Sequence, residues 1–165
     1  MTSLETLESI EIFKDFTDEE LVKIQELCSE EEFQRDERLF AEGEPARHMW
    51  IVTQGKVDLR FEMPMATRPT DDSTISSHDH VIPESQVFGW SCFISPYKMR
   101  LSAFCTSRKC AVVKINRTAL NNLMESDTAI GFKIMKYLLQ VVSFRSKQFQ
   151  DEVVKFMGIN MMNSW

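Results

Sequence analysis

Apolar residues near the start of the chain recur with a helical period. A first set lies at three-residue spacing: Leu4, Leu7 and Ile10. Further on, Thr17 and Glu20 form a capping-box pattern, in which each side chain can bond the backbone amide of the other residue. We predict that the helix beginning there runs to about Glu31, so that residues 1–31 contain two N-terminal helices.

After Glu31 the helical period changes to short runs of β-branched and aromatic residues. The runs occupy positions 49–52, 57–61, 81–82, 86–88, 101–106 and 110–115. Gly, Pro, Ser and other turn residues separate them at intervals of about 8–12 residues, which is typical of antiparallel β-rolls and sandwiches. We therefore predict a β-roll over residues 32–116.

The C-terminal part returns to a helical pattern. Asn116 is suited to cap a short helix, and Ser126 or Asp127 to cap a long one that we expect to end at Gly158. Residues 117–157 are thus predicted to form a short helix followed by a long helix.

The long helix carries an apolar stripe along its length. The members of the stripe are Ile130, Ile134, Tyr137, Val141, Phe144, Phe149, Val153 and Phe156. Two interpretations are open, because the stripe could pack entirely against the roll or pair with the same helix of a second copy. A helix of roughly 30 residues spans about 45 Å, which is more than one face of a small roll can cover. We therefore favour a homodimer formed through the C-terminal helix.

Composition and charge narrow the function classes. The chain has 165 residues and a formal net charge of −6, which suits a single domain over 1–165 and argues against DNA or RNA as the main partner. The acidic N-terminus does not resemble a signal peptide, and no apolar run is long enough to cross a membrane. The four cysteines lack the spacing of zinc ligands, and we interpret them as reduced residues of a cytoplasmic protein.

Few residues suggest a reaction. His78, Asp79 and His80 could hold a metal ion, but they lie in a polar, Pro-interrupted stretch, and a solvated loop is the favoured interpretation. No nucleophile and base can be paired from the sequence. We therefore expect neither a catalytic nor a metal site, and no enzyme.

Four motifs occur in a recognisable order. LFAEGE at 39–44 is followed by MWIVTQGKV at 49–57, then by VFG at 87–89 with Arg100 beyond it, and finally by VKIN at 113–116. Over roughly residues 5–150 this order resembles the cyclic-nucleotide-binding domain family, and in particular the effector domain of catabolite activator proteins. The resemblance implies an α+β, mainly β fold: an eight-stranded double-stranded β-helix, or jelly roll, with two N-terminal helices and a long C-terminal helix.

The resemblance also implies a ligand site. In the family, a short helix that begins at the position of Gly89 directs backbone amides at a cyclic phosphate, and an arginine at the position of Arg100 supplies the opposite charge. The candidate ligand-binding residues are Gly89, Trp90, Ser91, Cys92, Arg100, Leu101 and Ser102, with Ser143 on the last helix in the segment that touches the base. Each of three candidates also has an interpretation without a ligand. Gly89 could simply form a turn between strands, Arg100 could form an ion pair, and Ser143 could be an exposed serine on a helix.

Two positions depart from the family pattern. Trp90 stands where the family has a glutamate that holds the ribose hydroxyl, and an indole has no acceptor for that bond. Leu101 stands where a small residue usually lies against the phosphate. We therefore expect weak binding of ordinary cyclic AMP.

Two functions follow from these observations. The first is a non-enzymatic ligand-sensing module for a cyclic nucleotide or another small anionic ligand, with no DNA-binding or membrane role. Since no helix-turn-helix follows the long helix in this sequence, the output is expected to pass through a homodimer partner or an unidentified protein effector. The alternative is a degenerate roll that acts as a structural or protein-interaction (dimerisation) module.

Overall fold

The computed structural model of the chain describes residues 2–61, 74–75 and 86–163. Its elements are, in chain order, α1 Leu4–Glu8, a 3-10 helix Glu11–Phe13, α2 Asp18–Gln25, β1 Cys28–Gln34, β2 Arg38–Phe40, β3 His48–Gln54, β4 Val57–Arg60, β5 Thr74–Ile75, β6 Val87–Phe88, a second 3-10 helix Trp90–Phe93, β7 Ser102–Cys105, β8 Lys109–Asn116, α3 Arg117–Ser126 and α4 Thr128–Asn163. The strand predicted at 81–82 and the histidine pair at 78 and 80 lie outside the described residues.

The described strands form two four-stranded sheets, ordered β1-β8-β3-β6 and β2-β7-β4-β5. Every strand pair in both sheets is antiparallel. Strands that follow each other in the chain mostly belong to different sheets or are not neighbours, which is the connectivity of a jelly roll rather than of a meander. The predicted α+β, mainly β jelly roll, with helices before and after it, is confirmed.

The predicted end of the second helix was wrong. α2 ends at Gln25 rather than near Glu31, and residues 28–34 form β1, which pairs with β8 from Cys28 opposite Ile115 to Gln34 opposite Lys109. The glutamates of this segment favour a helix locally, but seven residues of backbone pairing with an inner strand outweigh that preference. The roll therefore begins at Cys28 and not at residue 32.

The predicted helix caps are formed by the expected side chains. Thr17 and Glu20 make both bonds of the capping box at the start of α2, with lengths of 3.3 and 2.8 Å. Asn116 accepts from the amides of Thr118 and Ala119 at the start of α3. Asp127, rather than Ser126, caps α4 by accepting from the amide of Ile130. These local bonds fix where each helix leaves the roll.

The core lies between the two sheets and continues beneath the helices. Fully buried side chains come from every layer, among them Leu7, Phe13, Leu21, Ile24, Met49, Ile51, Val112, Ile115, Leu120, Ile130 and Ile134. The start of α4 packs on the N-terminal helices, where Lys133 Nζ lies 2.6 Å from Glu20 Oε2 and over the ring of Phe16. The N-terminal helices, the roll and the first half of α4 thus share one hydrophobic core.

The predicted apolar stripe of α4 divides into two parts. Ile130, Ile134 and Val141 are fully buried and Tyr137 packs against the core, so the first half of the stripe contacts the roll. Phe149, Val153 and Phe156 are exposed.

The expected stop at Gly158 was wrong, since α4 continues to Asn163. A helical glycine costs only about 1 kcal/mol relative to alanine, and nothing in the described structure forces the chain to turn there. Within the described residues, no helix is both long and apolar enough to cross a membrane.

Candidate functional site

The segment after β6 has the backbone expected of a phosphate-binding cassette. Gly89 adopts the left-handed conformation, with φ of +75°, and is followed by the four-residue 3-10 helix Trp90–Phe93. A Cβ at Gly89 would lie 2.7 Å from Cδ1 of Trp50 and 3.0 Å from the carbonyl oxygen of His48. Glycine is therefore required here by the turn and by the close approach of β3, whether or not a ligand binds.

The start of this 3-10 helix leaves two donors available. The Cys92 amide donates to the carbonyl of Gly89, whereas the amides of Trp90 and Ser91 precede the first bond the helix can make. Neither of these two amides has a hydrogen-bond partner among the described residues. They are the backbone groups that could contact an anion.

A cavity of about 110 Å³ lies beside the cassette. Its lining consists of Phe40, Leu59, Gly89, Trp90, Ser91, Met99, Arg100, Leu101 and Arg145. Ligand pockets usually measure about 300–1,000 Å³, and a cavity of about 150 Å³ holds benzene. The cavity therefore has room for a small group such as a phosphate, and a whole nucleotide would require its lining to move.

Two arginines from distant parts of the chain line this cavity. Arg100 precedes β7 and is exposed, while Arg145 lies on α4 and is half-buried. Burial lowers the pKa of Arg145, although an arginine remains charged at any physiological pH. No aspartate or glutamate is among the described residues of the lining. The described lining therefore combines two cationic side chains with apolar residues. Arg145 also donates to Gln148 Oε1 at 3.4 Å.

The structure brings together five of the eight predicted site residues. Gly89, Trp90, Ser91, Arg100 and Leu101 all line the cavity. The other three lie elsewhere.

Cys92 is fully buried, and burial raises the pKa of its thiol to about 12. Ser102 is also buried, and its hydroxyl accepts from the Glu42 amide at 2.8 Å. Ser143 is exposed on α4 and borders a shallow depression with Leu139 and Lys147. The cavity lining therefore includes none of Cys92, Ser102 and Ser143.

Arg145 is the lining residue that the sequence analysis missed. It lies four residues after Val141, which is fully buried, and so continues the buried side of α4. The four-residue step from Val141 could have identified Arg145, because the side of α4 that packs against the roll also reaches the cavity.

Comparisons with known proteins agree with the fold. A family model described as "Cyclic nucleotide-binding domain" matches residues 30–127, more than half of the chain. The chain therefore belongs to the cyclic nucleotide-binding domain family. None of the curated proteins compared with the sequence matches it.

Several solved structures share the fold. A putative cyclic nucleotide-binding protein from Geobacter metallireducens GS-15 is 29% identical over 88% of this chain and 98% of its own, with a TM-score of 0.70. A cyclic nucleotide-binding domain from Methylobacillus flagellatus KT is 22% identical over 92% of this chain and 80% of its own, also with a TM-score of 0.70. The regulatory domain of Toxoplasma gondii PKA, solved with cAMP, is 17% identical over 90% of this chain and 48% of its own, with a TM-score of 0.58.

Proposed function

We propose that this domain is a non-enzymatic regulatory module that binds a small anionic ligand in the cavity between the cassette and α4. The observation that carries the proposal is the convergence of Arg100 and Arg145 on one cavity whose described lining contains no carboxylate. Two guanidinium groups in partly apolar surroundings favour a negative group between them. The amides of Trp90 and Ser91 can add hydrogen bonds to the same group.

The lining argues against ordinary cyclic AMP as the tightest ligand. Trp90 occupies the position of the family's glutamate and lines the cavity without offering an acceptor to a ribose hydroxyl. Leu101 adds an apolar side chain beside Arg100. Both features favour a compact anion, or one attached to an apolar group, over a cyclic nucleotide.

Thermal denaturation with a panel of cyclic nucleotides, inorganic phosphate and small phosphorylated or carboxylated metabolites tests the proposal. A ligand at a hundredfold excess over its Kd should stabilise the fold by about 2.7 kcal/mol. Arg100→Ala should remove most of that gain, whereas Arg108→Ala, which removes an exposed arginine in the β7–β8 turn, should leave it unchanged. A gain that survives Arg100→Ala would show that the ligand binds elsewhere. If no compound raises the stability of the fold, the alternative function, a structural or protein-interaction module, is favoured.

The exposed side of α4 supports the interaction module as a second candidate function. Apolar residues recur on it at alternating steps of three and four: Phe132, Met135, Leu139, Val142, Phe149, Val153 and Phe156, with Ser146 in the place between Val142 and Phe149. We call this set the α4 seam. It lies on a different side of the helix from Ile130, Ile134 and Val141, so packing against the roll leaves its apolar residues exposed, apart from the half-buried Val142. A heptad pattern over four repeats is that of a coiled coil.

We infer that the α4 seam pairs with the same seam of a second copy. Phe132 and Leu139 are each 70% exposed, which is costly unless a partner covers them. Ser143 lies beside the seam, next to Val142, so pairing would bring it towards the partner subunit. The four cysteines are unpaired, which supports a cytoplasmic location for such a dimer.

The oligomeric state tests this pairing. Tyr137, an obvious choice from the sequence, packs against the core, so a charge there would disturb folding. Leu139→Glu should instead convert a dimer to a monomer in light scattering, because it introduces a charge into an apolar seam. Gln140→Glu, at the neighbouring exposed position off the seam, should leave the mass unchanged. A wild-type monomer at micromolar concentration would contradict the pairing.

A further inference from the structure

A second cavity, separate from the cassette, lies where the loop before β7 meets the start of α3. Its volume is about 510 Å³, which is within the range of ordinary ligand pockets. The residues that line it are Pro45, Ala46, Arg47, Pro96, Tyr97, Lys98, Asn116, Arg117 and Thr118. Three of these are cations, and none of the described lining residues is an aspartate or glutamate. We call it the basic pocket.

The three cations come from three separate segments that backbone bonds hold together. The Ala46 amide donates to the carbonyl of Tyr97 at 2.8 Å, and the Arg117 amide donates to the carbonyl of Arg47 at 2.9 Å. Pro45 and Lys98 form an isolated β-bridge. Because these contacts join the main chains, the three segments that carry the cations are held next to one another before any ligand arrives.

No described residue forms an ion pair with the cationic side chains of the basic pocket. None of the ion pairs between described residues includes Arg47, Lys98 or Arg117. The guanidinium carbon of Arg117 lies 4.1 Å from the ring centroid of Tyr97, a cation–π contact that orients the group without reducing its charge. In a chain with a net charge of −6, three cations around one depression, none of them ion-paired with a described residue, are a local excess of positive charge.

The amides at the start of α3 are not the source of the proposed binding. Asn116 Oδ1 accepts from the amides of Thr118 and Ala119, and the Arg117 amide is bonded to Arg47. An anion in this pocket would therefore depend on side-chain cations. Apart from the cations and the polar residues Asn116 and Thr118, its surface is formed by Ala46, by the two prolines and by Tyr97, which is 43% exposed.

We propose that the basic pocket is a second ligand site, which takes a small organic phosphate carrying at least two negative charges. The phosphates contact Arg47, Lys98 and Arg117, and the organic part lies against Tyr97 and the prolines. Charge-assisted bonds from two or three cations suit a diphosphate better than a single carboxylate. The site is independent of the cassette, although Lys98 and Arg100 belong to the same loop.

Isothermal titration of the full chain with ADP, and with inorganic pyrophosphate as the charge-only probe, tests the proposal. ADP should bind saturably, more tightly than pyrophosphate, and less tightly as salt rises. Lys98→Gln and Arg117→Gln should each weaken ADP by about tenfold or more, since each removes a charge-assisted bond. Arg108→Gln is the matched control and should have no effect. Lys98→Gln is the cleaner variant, because the described contacts of Lys98 involve only its backbone.

The Arg100→Ala variant separates this site from the cassette. If ADP binding persists in Arg100→Ala and is weakened in Lys98→Gln, the basic pocket is supported even if the proposed cassette ligand fails. If ADP binding is lost in Arg100→Ala and unchanged in Lys98→Gln, the probe occupies the cassette and the proposal is overturned. No saturable binding of ADP at millimolar concentration would also overturn it. Equal affinity for pyrophosphate would refute the role of the apolar wall.

Discussion

The Gly89→Ala substitution tests whether the fold alone, without a ligand, requires a glycine at this position. Gly89 combines a φ of +75° with a Cβ position that lies 2.7 Å from the Trp50 ring and 3.0 Å from the His48 carbonyl oxygen. Gly43 offers a matched control, because its φ is +82° but no atom lies within 4 Å of its Cβ position. The two substitutions share the backbone cost and differ in the packing cost.

The magnitudes follow from these two terms. A left-handed conformation costs an alanine about 1–2 kcal/mol, and this cost applies to both Gly43→Ala and Gly89→Ala. Forcing a methyl group into a filled space adds about 1–3 kcal/mol, at Gly89 only. Gly89→Ala should therefore lower the free energy of unfolding by about 1–3 kcal/mol more than Gly43→Ala. For a chain of this size, that difference is about 2–12 °C in Tm.

Urea denaturation of the ligand-free protein, followed by tryptophan fluorescence, provides the comparison. Because no ligand is present, a ligand role for Gly89 cannot contribute to the result. Equal destabilisation by the two substitutions would refute the packing argument, and it would leave ligand approach as the better reason for a glycine at this position.

Three further predictions concern the helices and the buried thiols. Gly158→Ala should stabilise the end of α4 by about 1 kcal/mol, because its Cβ position is open; unchanged amide exchange there would contradict this. Burial raises the pKa of Glu20, but the bonds from Lys133 and from the Thr17 amide outweigh it, and the pKa lies below its ordinary value. This carboxylate therefore adds stability above its ordinary pKa that disappears as the pH falls through the lowered one, so Glu20→Gln should lose less stability in acid than the wild type. If both proteins lose the same unfolding free energy as the pH falls, the ion pair does not contribute. Burial raises the pKa of Cys92 to about 12, so its thiol should react with iodoacetamide at neutral pH far more slowly in the folded than in the unfolded protein; equal rates would exclude a protected thiol.

The features predicted correctly from the sequence depend on short-range interactions. The capping box of Thr17 and Glu20 and the Asn116 cap are bonds between residues at most three positions apart, so the local pattern contains all the information. Strands β3, β4, β6, β7 and β8 were equally recoverable, because each lies in or overlaps a run of β-branched or aromatic residues. The jelly-roll arrangement of these strands was predicted from the resemblance to the cyclic-nucleotide-binding domain family.

The errors occurred where distant residues decide the outcome. The polar segment 28–34 reads as the end of a helix, and only its pairing with β8, about 80 residues away, makes it a strand. Residues 81–82 lie outside the described part and leave that strand untested. On α4 the sequence shows apolar residues on two sides of the helix, and nothing local tells which side the roll will cover. Arg145 was missed, and Ser143, two positions away, was proposed from the family resemblance instead.

The geometry of α4 links the two functions proposed for the domain. Arg145 lines the cassette cavity, and the next residue, Ser146, belongs to the α4 seam. A ligand that attracts the Arg145 guanidinium and a second copy that covers the seam therefore act on the same helical turn. If ligand binding and seam pairing both favour the same position of α4, each event raises the affinity of the other, and by the same factor. Ligand affinity should then rise with protein concentration, and this dependence should disappear in Leu139→Glu, which keeps the cavity but not the seam.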